Sequence, residues 1–182
     1  MFQSKAYIER RNGRSGTDRK EYLQKLVQEY KTTDNLEAKK QILANLANFA
    51  YDPVNYEWLW DLNVVNLFLT AITDADPLLR EYGMGGLANI CLDPRHRAHI
   101  TSESYYIRAI QACIDADPST HTENTMLNAM LTLIFTINPA CQSAILTTDL
   151  REQLQRIHAA DKMTRKSCMA KVFLTDYFRE EV

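Results

Sequence analysis

Apolar residues along this chain recur with the period of an α-helix in several separate stretches. In residues 42–50 they fall at positions i, i+1, i+4, i+7 and i+8, which places them on one face of a helix. Residues 126–134 and 169–177 show the same pattern. Only five glycines and five prolines occur in 182 residues, too few for the frequent tight turns of a β-rich fold. The pattern therefore predicts an all-α protein.

The chain also repeats itself at a fixed distance of 41 residues. Three blocks recur at this distance, and the following step, from Ala116-Asp117 to Ala160-Asp161, is 44 residues. Several matches at one shared offset indicate tandem structural units. The three blocks are Leu46-Ala47-Asn48 with Leu87-Ala88-Asn89, Asp52-Pro53 with Asp93-Pro94, and the Ala-x-x-Asp-Ala-Asp-Pro of residues 71–77 with that of residues 112–118.

Each unit is predicted to contain a short, a medium and a long helix. Asp76-Pro77 and Asp117-Pro118 predict an N-cap and a first helical residue for the long helices of units two and three. Asp34 and Asp161 are the predicted caps of the first and last long helices. Three helices in about 41 residues are typical of an armadillo or HEAT repeat. We expect an armadillo-type right-handed superhelical solenoid of about three repeats, with helical caps at both ends.

The predicted organisation is an N-terminal arm followed by one repeat domain. Residues 1–20 carry six basic and two acidic side chains, whereas residues 21–149 carry eight basic and sixteen acidic ones. A basic arm of this kind can contact RNA phosphate or an acidic protein surface. The alternative is that it remains a solvated tail. The predicted segments are a basic flexible arm over 1–17 and a domain over 18–182, which comprises a cap helix at 18–32, repeats at about 34–75, 76–116 and 117–160, and a terminal helix at 161–180.

Several classes of protein are disfavoured by the sequence. The first residues lack the apolar core of a secretory signal, and no apolar run approaches membrane-span length, so we expect a soluble intracellular protein. His96 and His99 are spaced for chelation but lack further ligands nearby. With no phosphate loop or activated nucleophile, we predict neither an enzyme nor a metal or cofactor site. The cysteines, expected to be buried reduced thiols, are Cys91, Cys113, Cys141 and Cys168.

One segment is specific enough to suggest a family. Residues 43–57, which read LANLANFAYDPVNYE, resemble the armadillo-repeat-containing protein seven family of small solitary solenoids. Residues 85–91, which read GGLANIC, fit the second repeat of that family. The resemblance is clear over residues 21–91 and rests on helical pattern alone beyond them. The first twenty residues are not covered.

The resemblance implies a non-enzymatic scaffold or adaptor in pre-mRNA splicing. Members of that family associate with the minor spliceosome, where they pair with a protein containing an RNA-recognition motif near the capped 5′ end of the catalytic small nuclear RNA. We therefore expect a nuclear protein, with the cytoplasm as a second location, that forms hetero-oligomers and is not an obligate homo-oligomer. Two alternatives stay open: a direct RNA binder that uses the arm and the last helix, and a peptide-binding adaptor in transport or signalling.

Asparagines near the ends of the long helices are the first candidates for binding. Asn48 and Asn89 stand at equivalent places in two repeats. The long helix of an armadillo repeat lines the concave groove, where an amide can both donate to and accept from an extended peptide backbone. Alternatively, each amide satisfies nearby backbone at the helix end. Leu133 is predicted to replace the asparagine in the third unit, so a ladder of asparagines would have at most two rungs.

Glycines and aromatic residues supply further candidates. Gly85 and Gly86 lie inside a predicted helix, where each costs about 1 kcal/mol relative to alanine, which indicates either close helix packing or approach of a partner chain. Trp58 and Trp60 lie two apart on a short helix, so we expect one to be partly exposed as a partner anchor, unless it packs on the next repeat. The predicted protein-binding residues are Asn45, Asn48, Asn89, Tyr51, Asp52, Asn55, Tyr56, Trp58, Trp60, Gly85 and Gly86.

Basic residues near the end of the chain form a predicted patch. Lys162 and Lys166 are four apart, which places them on one helix face together with Arg165, and Lys171 follows. This patch can contact RNA phosphate or an acidic segment of a partner. The alternative is that it is a solvated helix face. The predicted RNA contacts are Arg10, Arg11, Arg14, Lys162, Arg165 and Lys166.

Overall fold

The protein is all-helical in the computed structural model, which describes Ser4, Ala6 and residues 18–115 and 120–179. These residues contain eleven α-helices and one 3₁₀ helix, Pro53–Asn55, and no strand. The α-helices are α1 (Arg19–Thr32), α2 (Leu36–Ala50), α3 (Tyr56–Asp61), α4 (Val64–Ala71), α5 (Pro77–Ile90), α6 (Pro94–Ser102), α7 (Ser104–Ala112), α8 (Glu123–Thr136), α9 (Gln142–Ile145), α10 (Thr148–Ala160) and α11 (Arg165–Tyr177).

The long helices α2, α5, α8 and α11 pack side by side in chain order. Lys40 near the start of α2 pairs with Asp76 at the start of α5, with Nζ to Oδ2 at 2.9 Å. At the other end, the Asn89 amide of α5 donates to the Ala47 carbonyl of α2 over 3.0 Å. Because like ends are joined, these helices run in the same direction. Arg165 joins the start of α11 to that of α8 in the same way.

The other helices form a second layer behind the long ones. Helix α4 packs on α5, α7 packs on α8, and α10 packs on α11. Equivalent positions of successive long helices are filled by Leu46, Leu87 and Leu133, all with no exposed surface. One apolar core therefore runs through all repeats, because each unit buries its face only against its neighbours. This arrangement confirms the armadillo-type solenoid.

Some helix ends match the predictions and some do not. Asp76 caps α5, as predicted, by accepting from the N–H groups of Leu78 and Leu79. The long helices α2, α5 and α8 end shortly before Pro53, Pro94 and Pro139, because proline disfavours helix in the residue that precedes it. Asn35, rather than Asp34, caps α2 by accepting from the N–H groups of residues 37 and 38. Aspartate and asparagine cap equally well, so adjacent acceptors could not be told apart from the sequence.

The last two long helices begin later than predicted. Thr122 caps α8, whereas the predicted Asp117-Pro118 cap lies outside the described residues. Thr164 caps α11, because the Asp161 carboxylate instead accepts from the Met163 N–H and closes a turn before the helix. The start of α8 thus lies 46 residues after that of α5, measured from Thr122 to Asp76. The step predicted between these two starts, from Asp76 to Asp117, was 41 residues and was wrong. The step of 44 residues predicted from Asp117 to Asp161 compares with 42 residues from Thr122 to Thr164.

The cysteines are mostly internal. Cys91, Cys113 and Cys141 are buried, as expected, and burial raises the pKa of Cys91 to about 12 and that of Cys113 to about 11. Cys168 is exposed, contrary to the expectation, because it lies on the solvent side of α11. Within residues 18–115 and 120–179, none of the helices combines the length and apolar character needed to span a membrane.

Candidate protein-binding surface

The two predicted ladder asparagines have different environments. Asn48 is exposed, and its side chain makes no hydrogen bond to a described residue. Asn89 is half-buried, and its amide donates to Ala47, whose carbonyl belongs to the last turn of α2 and lacks an intrahelical partner. The Tyr56 hydroxyl in turn donates to the Asn89 carbonyl over 3.1 Å. Side chains of adjacent repeats therefore cap each other's helix ends, whereas the Asn48 amide has no hydrogen bond to a described residue and is available to a ligand.

The third position of the asparagine row is not Leu133. With α8 aligned to α5 by their caps, Leu133 corresponds to the buried Leu87, and Phe135 corresponds to Asn89. Phe135 is 40% exposed. The row therefore changes from amide to aromatic between the second and third repeats. The prediction of at most two asparagines holds, although the residue that ends the row was misassigned.

The paired glycines serve different purposes. A methyl group on Gly86 would overlap the ring of Phe68, with its Cβ 2.6 Å from Cε2, so Gly86 allows close packing of α5 on α4. Gly83, which sequence reasoning missed, does the same, because a Cβ there would lie 2.9 Å from the Ala71 Cβ. The spacing of Gly83 and Gly86 on one helix face was the available signal. Gly85 instead lies beside the Asn128 amide, where a Cβ would make an ordinary 3.5 Å contact.

Three predicted binding residues are internal, and their assignment to a binding surface was wrong. Asn55 is 1% exposed, and its amide donates to the Phe49 carbonyl over 2.7 Å while its oxygen accepts from Arg19. Tyr56 is buried, and its pKa is raised to about 12, chiefly by burial. Gly86 is buried beneath Phe68. These residues hold repeats together and cannot touch a partner in the folded chain.

The remaining aromatic and polar candidates are partly accessible. Tyr51 is 63% exposed at the end of α2, and Asp52 beside it caps the 3₁₀ helix through the Val54 N–H. Asn45 is half-buried and accepts from the Gln41 amide over 3.4 Å. Asn48 and Tyr51 therefore offer the most accessible polar and aromatic groups at this end of α2.

The tryptophans face the second layer of helices. Trp60 is 37% exposed, and Trp58 is partly buried against the core. The edge of Trp60 meets the ring of His96 at 5.2 Å, and the Arg95 guanidinium lies 5.7 Å from the Trp60 ring centroid. Trp60 therefore packs on the next repeat, which was the alternative interpretation, while part of its ring remains accessible.

The predicted basic patch is divided by the structure. Arg165 bonds to the Glu123 carboxylate at 3.2 Å, and the backbone N–H of Lys166 donates to the same carboxylate. Lys162 precedes α11 and does not share its face. The prediction of one basic helical face was therefore wrong, because the helix begins at Arg165. Arg10, Arg11 and Arg14 lie outside the described residues.

The histidine pair is used in packing between repeats. His96 is fully buried, and its Nδ1 lies 3.0 Å from the Asp93 carboxylate. Burial lowers the pKa of His96, although its hydrogen bond to the Asp93 carboxylate opposes this shift. His99 Nε2 lies 2.8 Å from the Asn66 side-chain oxygen. Across the described part of the chain, no three histidine, cysteine, aspartate or glutamate side chains gather as a metal site would need.

We expect the free energy of unfolding to fall as the pH drops below about 6.5. Burial holds the pKa of His96 and His121 below the usual value of 6.5. The unfolded chain therefore binds protons at a pH where the folded chain does not, and acid favours unfolding. Urea unfolding at pH 7.5 and 5.5 tests this. Between these pH values the free energy of unfolding should fall less in the His96→Gln variant than in the wild type. The reason is that the variant lacks the one proton that the unfolded wild type takes up at His96.

The matched control for this experiment is His99→Gln on the same helix. The lowered pKa of Asp93 acts in a separate window, because its contribution is lost only as the pH falls below about 3.8. An identical pH dependence in the wild type and His96→Gln would contradict the assignment of this effect to His96.

The parallel layer of long helices, backed by shorter helices in tandem units, defines an armadillo-type helical-repeat scaffold. No protein-family model matches the chain. It is 36% identical over 157 residues to armadillo repeat-containing protein 7 of Mus musculus, a match that covers 86% of this chain and 77% of the mouse protein. The chain belongs to the armadillo repeat-containing protein 7 family, and the similarity extends well beyond residues 21–91, where the sequence resemblance is clearest.

Proposed function

We propose that this chain is a non-enzymatic adaptor of the minor spliceosome, located in the nucleus. It binds a protein with an RNA-recognition motif near the capped 5′ end of the catalytic small nuclear RNA. The splicing role rests on the family resemblance of residues 43–57 and 85–91. The binding role rests on one structural observation, which is that the side chains of Asn48 and Tyr51 are exposed at the end of α2.

Binding of a protein partner through the end of α2 fits the chemistry of these groups. An exposed amide such as that of Asn48, which bonds to no described side chain or backbone group, can pair with a peptide backbone. An exposed tyrosine provides a rigid amphipathic contact. Direct RNA binding through the last helix is less favoured, because Arg165 is already held by Glu123 and Asn124. The protein partner would then carry the RNA contact.

Affinity purification of the tagged full chain from nuclear extract tests this proposal. The wild type should recover a protein with an RNA-recognition motif and a small nuclear RNA. The double variant Asn48→Ala/Tyr51→Ala should recover at least about tenfold less of both, since the loss of a single hot-spot side chain costs about 2 kcal/mol or more and about 1.4 kcal/mol is tenfold in affinity. Tyr105→Ala, which removes a tyrosine of similar exposure on α7, is the matched control and should recover as much as the wild type.

Two further measurements separate the alternatives. Nuclease treatment before elution should leave the protein partner bound if the contact is protein to protein. Tight, steeply salt-dependent binding of short RNA by the purified chain alone would favour a direct RNA binder. Recovery of only transport factors or kinases would overturn the splicing assignment. Asn48→Ala is the cleaner probe of peptide binding, because Asn89→Ala also removes the bond to Ala47.

A further inference from the structure

Gly85 is the one glycine of α5 that packing within the fold does not explain. Gly83 and Gly86 leave room for α4, because a Cβ at either position would overlap that helix. A Cβ on Gly85 would have one neighbour within 4 Å from outside α5 among the described residues, the Asn128 Nδ2 at 3.5 Å. Glycine inside a helix is destabilising relative to alanine. Since no contact in the fold offsets this cost at Gly85, the missing side chain indicates a requirement at the surface.

Gly85 lies on the solvent-facing strip of α5. From Tyr82 to the end of this helix, three residues are not buried, and steps of three and four positions place them on one helix face. The helices α2 and α8 flank α5 and carry equivalent strips, counted from their caps. The three strips therefore form one continuous face. They consist of Gln41, Ala44 and Asn48 in α2, Tyr82, Gly85 and Asn89 in α5, and Asn128, Leu131 and Phe135 in α8.

The smallest side chains of this face meet in its middle. Ala44 and Gly85 occupy equivalent positions of two adjacent helices, whereas the larger Leu131 stands at that position in α8. The backbone of α5 is therefore bare at Gly85, and glycine is the residue that lets a ligand approach a backbone closely. None of the nine residues of the face carries a charge. A ligand of this face therefore needs no charge of its own.

Two amides on either side of Gly85 are available to a ligand. Asn48 on α2 is exposed, and Asn128 on α8 is half-buried. The side chains of both bond to none of the residues that the structure describes. Each amide can donate and accept a hydrogen bond, and so can each residue of an extended backbone. A helical segment offers neither group along its length, because its own N–H and C=O groups pair with each other.

The dimensions of the face suit an extended segment that crosses the long helices. Packed helices lie about 8–10 Å apart, and an extended chain advances about 3.3 Å per residue. A stretch of about six residues therefore leads from Asn48 on α2, across Gly85, to Asn128 on α8. Alternate side chains of such a segment would point toward the face, and the others would point toward solvent.

We propose that Gly85 forms the floor of a binding site for an extended, uncharged segment of a partner protein. The backbone of that segment lies against the bare backbone of α5 at Gly85 and bonds to the amides of Asn48 and Asn128. This inference rests on the binding role in the proposed function but not on the splicing assignment. It extends the surface of Asn48 and Tyr51 across the second repeat to the third.

Selection from a phage-displayed library of unconstrained linear peptides on the purified full chain supplies a probe. The probe is the enriched peptide with a fluorescent label, and fluorescence anisotropy measures its affinity. Transferred nuclear Overhauser effects report its bound conformation. We expect strong contacts between the α proton of one residue and the amide proton of the next, which are typical of an extended backbone. We also expect an affinity that changes little with salt, because the face carries no charge.

Gly85→Ala should weaken binding of this peptide about tenfold, equivalent to about 1.4 kcal/mol, because the added methyl group holds the ligand backbone away. The same substitution should raise the urea concentration at the midpoint of unfolding, because alanine favours the helix. Weaker binding by a more stable protein separates a ligand contact from a structural defect. Asn128→Ala should also weaken binding. The matched control is Gln142→Ala, which removes an exposed amide from α9 in the second layer and should bind as the wild type does.

The inference fails if the selection enriches no peptide, or if the peptide binds Gly85→Ala as tightly as the wild type. It also fails if the bound peptide is helical, or if a short RNA displaces it. A wild type that recovers no protein with an RNA-recognition motif, but whose peptide binding is weakened by Gly85→Ala, contradicts only the splicing proposal. Recovery that depends on Asn48 and Tyr51, together with a peptide that is insensitive to Gly85→Ala, contradicts only this inference.

Discussion

Replacing Gly86 with alanine is expected to lower the free energy of unfolding by about 1–3 kcal/mol, the usual effect of overpacking a core. The added Cβ would overlap the ring of Phe68, which has no exposed surface and cannot swing out into solvent. This loss is expected although alanine favours the helix over glycine by about 1 kcal/mol. Urea unfolding followed by far-ultraviolet circular dichroism measures the change.

The neighbouring glycine provides the matched control. Gly85→Ala adds the same methyl group to the same helix, but its Cβ would lie 3.5 Å from the Asn128 amide, an ordinary contact. We expect it to stabilise the chain by up to about 1 kcal/mol. Adding Phe68→Leu to Gly86→Ala should recover part of the loss, because leucine has a shorter side chain. Equal effects of the two glycine substitutions would contradict the packing role of Gly86.

Helical periodicity made the architecture accessible from the sequence. Repeated apolar positions fix which face each long helix buries, and prolines fix where those helices end, because both effects are local. The starts of α8 and α11 were less accessible. The connection before α8 is longer than that before α5, and it contains Asp117-Pro118, which has the composition of a helix start while the helix begins at Glu123. Matching Ala-Asp pairs therefore predicted the wrong number of residues between the starts of successive long helices.

The candidate surface was less predictable than the fold. A polar side chain looks equally available in the sequence whether its partner is solvent or a distant carbonyl. Asn55 is bonded to a residue six positions away, and Asn89 to one 42 positions away. Only the packing of repeats shows that these two amides are bonded within the fold, whereas that of Asn48 bonds to none of the residues that the structure describes.

The Phe173→Ala substitution is expected to have the largest effect at the end of the solenoid. Phe173 has no exposed surface on α11, and its ring meets those of Tyr177 and Phe178 at 5.3 and 6.2 Å. Its truncation should lower the stability of the last repeat by about 3–5 kcal/mol. Because each repeat contacts only its neighbours, the loss should be local at first. Hydrogen exchange should show faster exchange in α10 and α11, a smaller change in α8 and little change in α1 and α2.

Val172→Ala, one position earlier and 47% exposed, controls for this experiment and should change stability by no more than about 0.5 kcal/mol. Uniform acceleration of exchange from α1 to α11 in Phe173→Ala would instead mean that the repeats unfold as one cooperative unit. Local loosening has a functional consequence that can be measured on the same variant. Binding through Asn48 and Tyr51 should persist, since these residues lie at the opposite end of the stack of repeats from Phe173.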